Sequence, residues 1–513
     1  MPAALRHLAR LLGIARTLGR HDALFPLEQL AAPWPATALA RLVRRPSAGE
    51  LRPGQRLAAA LQSLGPSFIK LGQALSVRAD LVGAEIAADL GELRDRLPPF
   101  PAAEARATVA AELGRPVEEL FASFDDEPVA AASIAQVHFA VTSEGAEVAV
   151  KVLRPGIEAA FRRDLELFYW LARLAERTRP ALRRLRPVAV VETVDEWVGV
   201  ETDLRLEAAA ASELAENFAG DEGFKVPAVD WQRTSRRVLT LERVHGIPID
   251  DRAALEAAGH DLPDIAARVI RVFLEQALRD GFFHADLHQG NLFVDDSGAL
   301  VAVDFGIMGR LDPFTRRIMA EMLLAFLTGD YRRAAEVHFE AGYVPESKSV
   351  EMFTQACRSI GEPILGRPVD EISIGKLLAQ LFQVTESFAM RTQPHLLLLQ
   401  KTMVVAEGVA RSLDSGTNFW EAARPTIEEW VRDNLSPEAR LRDAASGAAE
   451  VAQRLPRLID RVERATRAIL EGGGRADADG ARPPPAEEAR RRTQTVLLWA
   501  IAGLLALLVV LSV

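Results

Sequence analysis

The stretch HADLHQGN at residues 284–291, followed by VDFG at residues 303–306, decides how this chain folds. It supplies Asp286, then Asn291 five positions later, and finally Asp304. This order of side chains serves phosphoryl transfer, because the first carboxylate faces the phosphate acceptor while the amide and the second carboxylate hold Mg²⁺ against nucleotide phosphates. Hard oxygen ligands suit Mg²⁺, so the set predicts an ATP and magnesium site.

The same stretch has two other interpretations. His284, Asp286 and His288 could ligate a transition metal in a hydrolase, because imidazole and carboxylate are good ligands for such ions. The set could also be accidental and purely structural. No second histidine cluster lies nearby, and only 9 histidines are spread over 513 residues. The apolar run at 299–303 predicts a buried strand that delivers Asp304 to a cleft.

Composition narrows the class of protein. A length of 513 residues suggests two or more domains, and a hydrophobic content of 49% supports globular folding. The net charge of −10 argues against a nucleic-acid partner, since such binders are basic. The single cysteine, Cys357, excludes an internal disulfide framework and fits a reducing compartment. Its surroundings favour a buried apolar role over that of a nucleophile.

Both ends of the chain carry apolar segments. Residues 496–513 contain no charge, and as a helix they would extend about 27 Å, close to the roughly 30 Å hydrocarbon core of a bilayer. Arginines at 490–492 precede them, so we predict a transmembrane helix at 493–513 in the inner membrane, with the catalytic domain on the cytoplasmic side. An organelle membrane and a buried core helix are the alternatives. The first 21 residues form a basic amphipathic helix suited to anionic lipid, to a cleaved presequence or to an ordinary surface.

The pattern along the chain predicts an α+β, protein-kinase-like two-lobe fold with a helical N-terminal extension and a C-terminal transmembrane helix. A nucleotide would lie at the junction of the lobes. The predicted segments are a helical extension at 1–118, a small nucleotide-binding lobe at 119–246, a large helical catalytic lobe at 247–440, a helix and charged Gly/Pro-rich linker at 441–492, and the membrane helix at 493–513.

The small lobe offers a candidate phosphate-contacting lysine. Lys151 ends the Val-Ala-Val-Lys strand, the position whose lysine contacts the α and β phosphates in kinases. Such a lysine needs an acidic partner on a helix. We predict a single helix through Val194 and Ala211. It carries three acidic residues, Glu201, Asp203 and Glu207, and their spacing alone does not identify the partner of Lys151.

The phosphate-binding loop should precede Lys151 by roughly fifteen residues. That place holds Ala130, Ala131, Ala132 and Ser133 instead of a glycine-rich loop. Glycine lets backbone N–H groups approach phosphates closely, whereas alanine does so with less conformational freedom. By itself the stretch predicts the start of a helix, but in this position we interpret it as a modified phosphate loop.

Together these motifs resemble the UbiB family of atypical, kinase-like proteins. The resemblance covers roughly residues 60–310 and rests on SFIKLGQALSVRADL, AAASIAQVH, VAVKV, the Glu-Thr-Asp triplet that starts at Glu201, HADLHQGN and DFG. It implies a kinase-like fold with a helical N-terminal extension. It also implies that Lys70 and Gln73 lie on a helix folded over the active site near Glu201 and Asp203, where a protein substrate would otherwise dock.

The resemblance assigns further roles. It implies that Glu207 is the partner of Lys151 and that Leu241 and Glu242 form the hinge between the lobes. It implies ATPase-type behaviour in ubiquinone or other isoprenoid-lipid metabolism at membranes. The implied partners are an isoprenoid or quinone-precursor lipid, the membrane and quinone-biosynthesis proteins. The chain departs from the family pattern at Ala135, where many relatives have glycine, and only one membrane helix is evident where bacterial relatives often have two.

The sequence therefore predicts a membrane-anchored, atypical kinase-like, Mg²⁺-dependent ATP-binding protein or ATPase that supports ubiquinone biosynthesis. A small-molecule or lipid phosphotransferase and a nucleotide-gated, non-catalytic scaffold are the alternatives. Intact Asp286, Asn291 and Asp304 argue against the scaffold. Lys70 and the alanine-rich loop argue against an ordinary protein kinase, unless Lys70 is only a water-exposed residue of a helix.

Overall fold

The computed structural model describes residues 3–23, 51–76, 82–91, 93, 98–178, 187–363, 384, 387–390 and 394–436. The chain divides into a compact unit at residues 1–427 and a second unit at residues 428–513. Of the second unit, the described part is the end of the last described helix and the residue that follows it. The described residues combine helices with small antiparallel and mixed sheets, as the α+β prediction requires.

The N-terminal extension is helical. Pro53 and Pro66 each open a helix, because proline at the first helical position has no N–H that needs an intrahelical partner. Gly65, with a φ of 104°, separates these two helices. The described helices of the extension pack on one another and have these bounds: α1 (Ala3–Arg20), α2 (Pro53–Leu64), α3 (Pro66–Ser76) and α4 (Ala84–Gly91).

Gly72 allows close packing inside the extension. A Cβ at this position would lie 2.4 Å from Leu93 Cδ1 and 2.8 Å from Leu61 Cδ1. On the same helix, the ring of Phe68 packs edge-on against Phe168, with the ring centroids 5.1 Å apart. The glycine of the Lys-Leu-Gly-Gln motif therefore has a packing role.

The small lobe is a five-stranded antiparallel sheet, and two short helices at 102–120, most of which belongs to the segment predicted as the extension, pack into the same core. Its order is β1–β3–β4–β6, with β2 paired to β3. Val148, Val150 and Val152 alternate along β4 and face the core with Val109, so the alternation turns Lys151 onto the opposite face. The bounds are α5 (Ala102–Leu113), α6 (Val117–Leu120), β1 (Phe121–Phe124), β2 (Ala130–Ala131), β3 (Ala135–Thr142), β4 (Glu147–Leu153) and, further along the chain, β6 (Val238–Glu242).

Helices follow β4, and one sequence prediction fails here. The prediction of a single helix through Val194 and Ala211 is wrong, because one helix ends before Thr202 and a second begins after Asp203. The Asp203 side chain accepts a hydrogen bond from Arg205 N and so caps a new helix. The bounds are α7 (Ile157–Thr178), α8 (Pro187–Glu201) and α9 (Leu204–Asn217). Glu201 and Glu207 consequently lie on different helices.

Short strands present the site motifs in the large lobe. One sheet has the order β5–β10–β9–β7, and β8 pairs with β11. Asp286 lies between β8 and β9, and Asp304 between β10 and β11. A π-helical turn at Glu275–Asp280 ends at Gly281, whose φ is 66°. The bounds are β5 (Phe224–Lys225), β7 (Ile247–Pro248), α10 (Arg252–Ala257), α11 (Leu262–Leu274), β8 (Phe282–His284), β9 (Leu292–Val294), β10 (Leu300–Ala302) and β11 (Met308–Arg310).

Helices complete the large lobe. The bounds are α12 (Pro313–Thr328), α13 (Tyr331–Glu340), α14 (Val350–Gly361), α15 (Pro394–Leu413) and α16 (Phe419–Leu435). Helix α15 packs along α11, the helix that leads towards the Asp286 loop. Cys357 is buried on α14, and burial raises the pKa of its thiol to about 12, in keeping with the apolar role expected for it.

Of the two terminal segments with a possible membrane role, the structure describes the N-terminal helix but not the C-terminal one. Among the described residues, no helix is both long and apolar enough to cross a bilayer. The transmembrane helix predicted at 493–513 and the linker at 441–492 lie outside those residues. The basic N-terminal helix packs on α2, and Arg10 pairs with Asp164 at 2.9 Å and lies over the ring of Phe68. Part of its polar face therefore serves contacts inside the protein.

Candidate functional site

Lys151 joins the two lobes through two carboxylates. Its Nζ donates to Glu207 Oε1 at 2.7 Å, to Glu207 Oε2 at 3.0 Å and to Asp304 Oδ1 at 2.8 Å. Lys151 comes from β4, Glu207 from α9 and Asp304 from the loop after β10. Of the three candidate acids, the structure therefore places Glu207 against Lys151, as the family resemblance implies.

The charges in this cluster depend on one another. Burial raises the pKa of Glu207 to about 7, although the neighbouring ammonium of Lys151 pulls it down. Burial also opposes the charge on Lys151, but Asp304 and Glu207 outweigh burial and raise its pKa. Partial desolvation in the cleft would raise the pKa of Asp304, but Lys151 holds it well below its usual range, with smaller contributions from His284 and Lys70. One ammonium thus serves two carboxylates.

Asp304 has an uncommon backbone conformation. Its φ is 63°, in the left-handed region that is unfavourable for most residues with a Cβ, although aspartate tolerates it better than most. Its side chain is half exposed at 50%, whereas that of Glu207 is 7% exposed. Asp304 is therefore the carboxylate of this cluster that an incoming ligand can reach.

The candidate catalytic loop, residues 284–291, is ordered by its own polar groups. Asn291 Nδ2 donates to the backbone oxygen of Asp286 at 3.1 Å. The Asp286 N–H donates to His284 Nδ1 at 3.1 Å, and the His284 ring lies 5.7 Å from that of Phe305. The loop that carries Asp286 is thus tied directly to the loop that carries Asp304.

His284 is not available as a metal ligand. The residue is fully buried, its Nδ1 accepts from the Asp286 N–H, and its Nε2 donates to the Val303 oxygen at 3.3 Å. Both ring nitrogens are occupied, and burial lowers the pKa of the imidazole. The hydrolase interpretation of His284, Asp286 and His288 is therefore wrong.

The residues present suit a magnesium ion. The amide nitrogen of Asn291 donates a hydrogen bond to the backbone oxygen of Asp286, so its amide oxygen is the atom that can coordinate a cation. Asp304 supplies a half-exposed carboxylate held ionised by Lys151. Two hard oxygen donors, completed by phosphates and water, are a typical Mg²⁺ set.

Lys70 is buried, so its interpretation as a water-exposed lysine is wrong. Its Nζ lies 2.8 Å from Glu201 Oε2, and the two side chains are 5% and 9% exposed. Lys70 is on α3 of the extension and Glu201 is the last residue of α8. Its charge lowers the pKa of Asp304, which places the extension within electrostatic reach of the cleft.

The other acidic and polar residues implied for this region have different contacts. Asp203 pairs with Arg205 and caps α9, so Glu201 alone of the two acids is paired with Lys70. Gln73 lies on α3 three positions after Lys70 and is partly buried. Glu242, for which the family resemblance implies a hinge role, ends β6, and its side chain accepts from the Ala228 N–H at 3.2 Å.

The alanine-rich loop is a β-hairpin turn, not the start of a helix. Ala130 and Ala131 pair with β3, and Ala132 N donates to the Ala135 oxygen at 2.8 Å across the turn. Ser133 is fully buried within it. Arg154 donates to the Ala132 oxygen from Nε at 3.1 Å and from Nη2 at 2.8 Å. The loop therefore occupies the place of a phosphate loop but is pinned at its tip.

Lys401 is a further residue at the site and was not among those predicted from the motifs. Its Nζ lies 3.2 Å from Asp286 Oδ1, although 115 residues separate the two in the chain. The available signal was weak: one lysine in the apolar helical run LLLLQKTMVV. The neighbouring Thr402 is fully buried, so α15 packs against the lobe at this position.

The chain is similar to known proteins over most of its length. Residues 92–338 match the ABC1 atypical kinase-like domain, and residues 357–418 match the UbiB helical domain. A "Probable protein kinase UbiB" from Marinobacter nauticus is 41% identical over 91% of this chain and 86% of its own. One from Xanthomonas euvesicatoria is 42% identical over 88% of this chain and 83% of its own.

A solved structure is similar as well. It is the complex of Rv3197 with erythromycin from Mycobacterium tuberculosis, with a TM-score of 0.51 and 25% sequence identity. The alignment covers 75% of this chain and 96% of that one. Together these similarities confirm the resemblance inferred from the motifs and the kinase-like part of the predicted fold.

Proposed function

This chain belongs to the UbiB family of ABC1 atypical kinase-like proteins, and we propose that it binds ATP with Mg²⁺ and hydrolyses it in support of ubiquinone or related isoprenoid-lipid synthesis. The observation that carries this proposal is the Lys151 cluster. A strand lysine bonded to a helix glutamate and to the Asp of DFG is the arrangement that kinase-like sites use on nucleotide phosphates.

Two side chains would hold the metal. Asn291 and Asp304 would supply its protein ligands, and the ion would neutralise charge on the phosphates. Lys151 would then leave Asp304 for the α and β phosphates while keeping Glu207. Asp286, on the loop that Asn291 and His284 order, would orient the attacking oxygen and take its proton.

The extension favours water or a small acceptor over a protein substrate. Lys70 fastens α3 to the last residue of α8 by a buried ion pair. The pinned alanine-rich turn adds to this, because Arg154 limits how far the loop can move over bound phosphates. A small-molecule or lipid phosphotransferase and a non-catalytic scaffold are the outcomes against which hydrolysis is tested.

The proposed setting is the cytoplasmic face of the inner membrane, or an organelle membrane. The apolar run at 496–513 is long enough to serve as the anchor, and the proposed partners are a quinone-precursor lipid and quinone-biosynthesis proteins. Deleting residues 493–513 should release the protein from membranes. A truncated chain that still resists extraction by high salt and carbonate would place the anchor elsewhere.

Product analysis tests the enzymatic part of the proposal. The full chain in detergent is incubated with γ-labelled ATP, Mg²⁺ and a quinone-precursor extract. Free labelled phosphate supports hydrolysis, a labelled small molecule supports the phosphotransferase, and neither product despite tight nucleotide binding supports the scaffold. Asp286→Asn, which keeps the size of the side chain but cannot accept a proton, is the control for background hydrolysis.

A further inference from the structure

Lys401 brings positive charge to the catalytic aspartate from outside the kinase-like segment. Its Nζ lies 3.2 Å from Asp286 Oδ1. Lys401, on α15, falls within residues 357–418, which match the helical domain, whereas Asp286 falls within residues 92–338, which match the kinase-like domain. The site therefore draws on both matched segments.

Hydrogen bonds fix the register of α15 against the catalytic loop. Thr402, adjacent to Lys401, is fully buried, and its one hydroxyl proton is shared between the carbonyl of Ala285, adjacent to Asp286, at 3.2 Å and the Leu398 carbonyl of its own helix at 2.9 Å. Further along, Gln289 Nε2 donates to a serine hydroxyl near the end of α15 at 2.7 Å. Because the neighbours of both residues are anchored, the contact between Lys401 and Asp286 is built into the packing and is not a casual approach of two surface charges.

The catalytic loop itself carries little positive charge. Residues 284–291 contain no lysine or arginine, and the imidazole of His288 lies 3.7 Å from Asp286 Oδ2. Lys151 is engaged on the nucleotide side of the cleft. A transferring phosphoryl group spreads negative charge over its oxygens, and groups already in place to compensate that charge lower the barrier. Lys401 supplies such a cation at the acceptor end.

We propose that Lys401 is a further catalytic residue, which contacts Asp286 in the resting site and the transferred phosphoryl group during reaction. This inference rests on the proposed function. The Lys401 and Asp286 side chains are 39% and 27% exposed, so a phosphate in the cleft can reach both.

The step balances without a further reactant. The bond between the γ-phosphorus and the bridging oxygen breaks, and ADP leaves with its electron pair. A bond forms from phosphorus to the oxygen of water or of an acceptor hydroxyl, and the proton of that oxygen passes to the Asp286 carboxylate. Lys401 transfers no proton in this step and only donates hydrogen bonds.

Three variants of the full chain test this role. Lys401→Gln removes the charge and keeps a polar side chain, Lys401→Arg keeps the charge, and Lys348→Gln removes a partly exposed lysine whose Nζ contacts the Ser387 oxygen. We expect Lys401→Gln to lower kcat roughly 100-fold, the typical cost of losing one donor to transition-state charge. Affinity for Mg²⁺-nucleotide, measured by fluorescence of a labelled analogue, should change by less than about threefold, because Lys401 acts at the acceptor end. Lys401→Arg should recover much of kcat, and Lys348→Gln should match the wild type.

The outcomes separate this inference from the function on which it rests. Wild-type protein that neither binds Mg²⁺-nucleotide nor turns it over overturns the proposed function. Wild-type turnover that Lys401→Gln retains in full overturns only the role of Lys401, and so does equal loss of affinity and kcat in the Gln and Arg variants. If Lys401→Gln is poorly folded, turnover of the Gln and Arg variants is compared below both melting temperatures. Dependence on charge then supports the role, and equal rates overturn it.

Discussion

Two lysine–glutamate pairs in this molecule have similar chemistry and different surroundings. Lys70 and Glu201 are 5% and 9% exposed, and their contact joins the extension to α8. Lys151 and Glu207 are also well buried, but Lys151 has a second carboxylate partner, Asp304, that is half exposed. The first pair can separate only if helices move, whereas the second can exchange a partner for a ligand. Burial, and not the residue types, therefore distinguishes a structural clamp from a binding element.

Disrupting the buried Lys70–Glu201 pair should have the largest effect on the free energy of unfolding. Lys70→Ala removes the lysine of a buried ion pair, and removing one partner of such a pair typically costs about 3–5 kcal/mol. We expect the free energy of unfolding, measured by urea titration, to fall by that amount. Quinone synthesis should fail in complementation, whereas nucleotide stabilisation should persist at temperatures where the protein is folded.

A double variant sharpens this prediction. Replacing Lys70 by Met and Glu201 by Leu exchanges the pair for apolar side chains, and such exchanges are often neutral or stabilising. Most of the lost stability should return, but complementation should not if the charges themselves act on the cleft. Lys70→Ala within about 0.5 kcal/mol of the wild type would contradict the clamp.

Disrupting the Lys151–Glu207–Asp304 cluster should instead reduce ligand binding and leave the stability of the ligand-free protein nearly unchanged. Asp304→Asn keeps the shape of the side chain but removes the anionic charge of a proposed Mg²⁺ ligand, so stabilisation by nucleotide with Mg²⁺ should vanish. That loss is about 2.7 kcal/mol when the ligand is present at 100 times its Kd. Without ligand, stability should change little, since Lys151 keeps Glu207 and asparagine tolerates a positive φ. Unchanged nucleotide stabilisation in thermal shift assays would remove Asp304 from the metal site.

A smaller effect is expected where the extension is packed most closely. Gly72→Ala should gain about 1 kcal/mol of helix propensity but lose about 1–3 kcal/mol to crowding of the buried Leu61 and Leu93 side chains. Net destabilisation of about 1 kcal/mol is expected in urea titration, with nucleotide affinity unchanged. Gly199→Ala is the matched control, because a Cβ there meets nothing within 4 Å, and it should stabilise. Equal gains in both variants would show that the extension has room at Gly72.

The remaining prediction concerns the pH dependence of a lysine–carboxylate pair at the surface. Lys225 Nζ lies 2.5 Å from Asp295 Oδ2. Burial alone would raise the pKa of Asp295, but hydrogen bonds from Lys225, Ser297 and Ala299 outweigh it and lower the pKa to about 2. A depressed carboxyl pKa stabilises the fold above the unfolded value of about 3.9, and the benefit is lost as pH falls towards 2. The stability difference between wild type and Asp295→Asn should therefore shrink between pH 5 and pH 2.5, and a constant difference would contradict the assignment.

The sequence predicted the parts of the site that depend on local order. Lys151 ends a strand whose alternation places it opposite the core, and Asp304 follows a short buried strand, so motif order and strand period were sufficient. The break between α8 and α9 carried a readable signal as well, since Asp203 is a typical N-cap residue. The alanine-rich turn is the opposite case, because pairing with β3 overrides the helix propensity of alanine.

The remaining contacts could not be predicted from local pattern. Lys401 reaches Asp286 only because α15 packs along α11, and a solitary lysine in an apolar run does not specify that packing. The Lys70–Glu201 pair likewise depends on how the extension folds back onto α8, and only the family resemblance pointed to it. Spacing left Glu201, Asp203 and Glu207 undecided, and tertiary structure separated them.

The placement of Lys401 also has a genetic consequence. A missense change at Lys401 should yield a folded protein that still binds nucleotide and still reaches the membrane. It should hydrolyse the nucleotide slowly. Such an allele should interfere with the wild-type copy when both are expressed. A change at Lys70 should instead deplete folded protein and be masked by one good copy. When each variant is co-expressed with the wild type, we expect the Lys401 variant to be dominant, because it alters a cation shared between two domains. We expect the Lys70 variant to be recessive, because it disrupts the structural clamp.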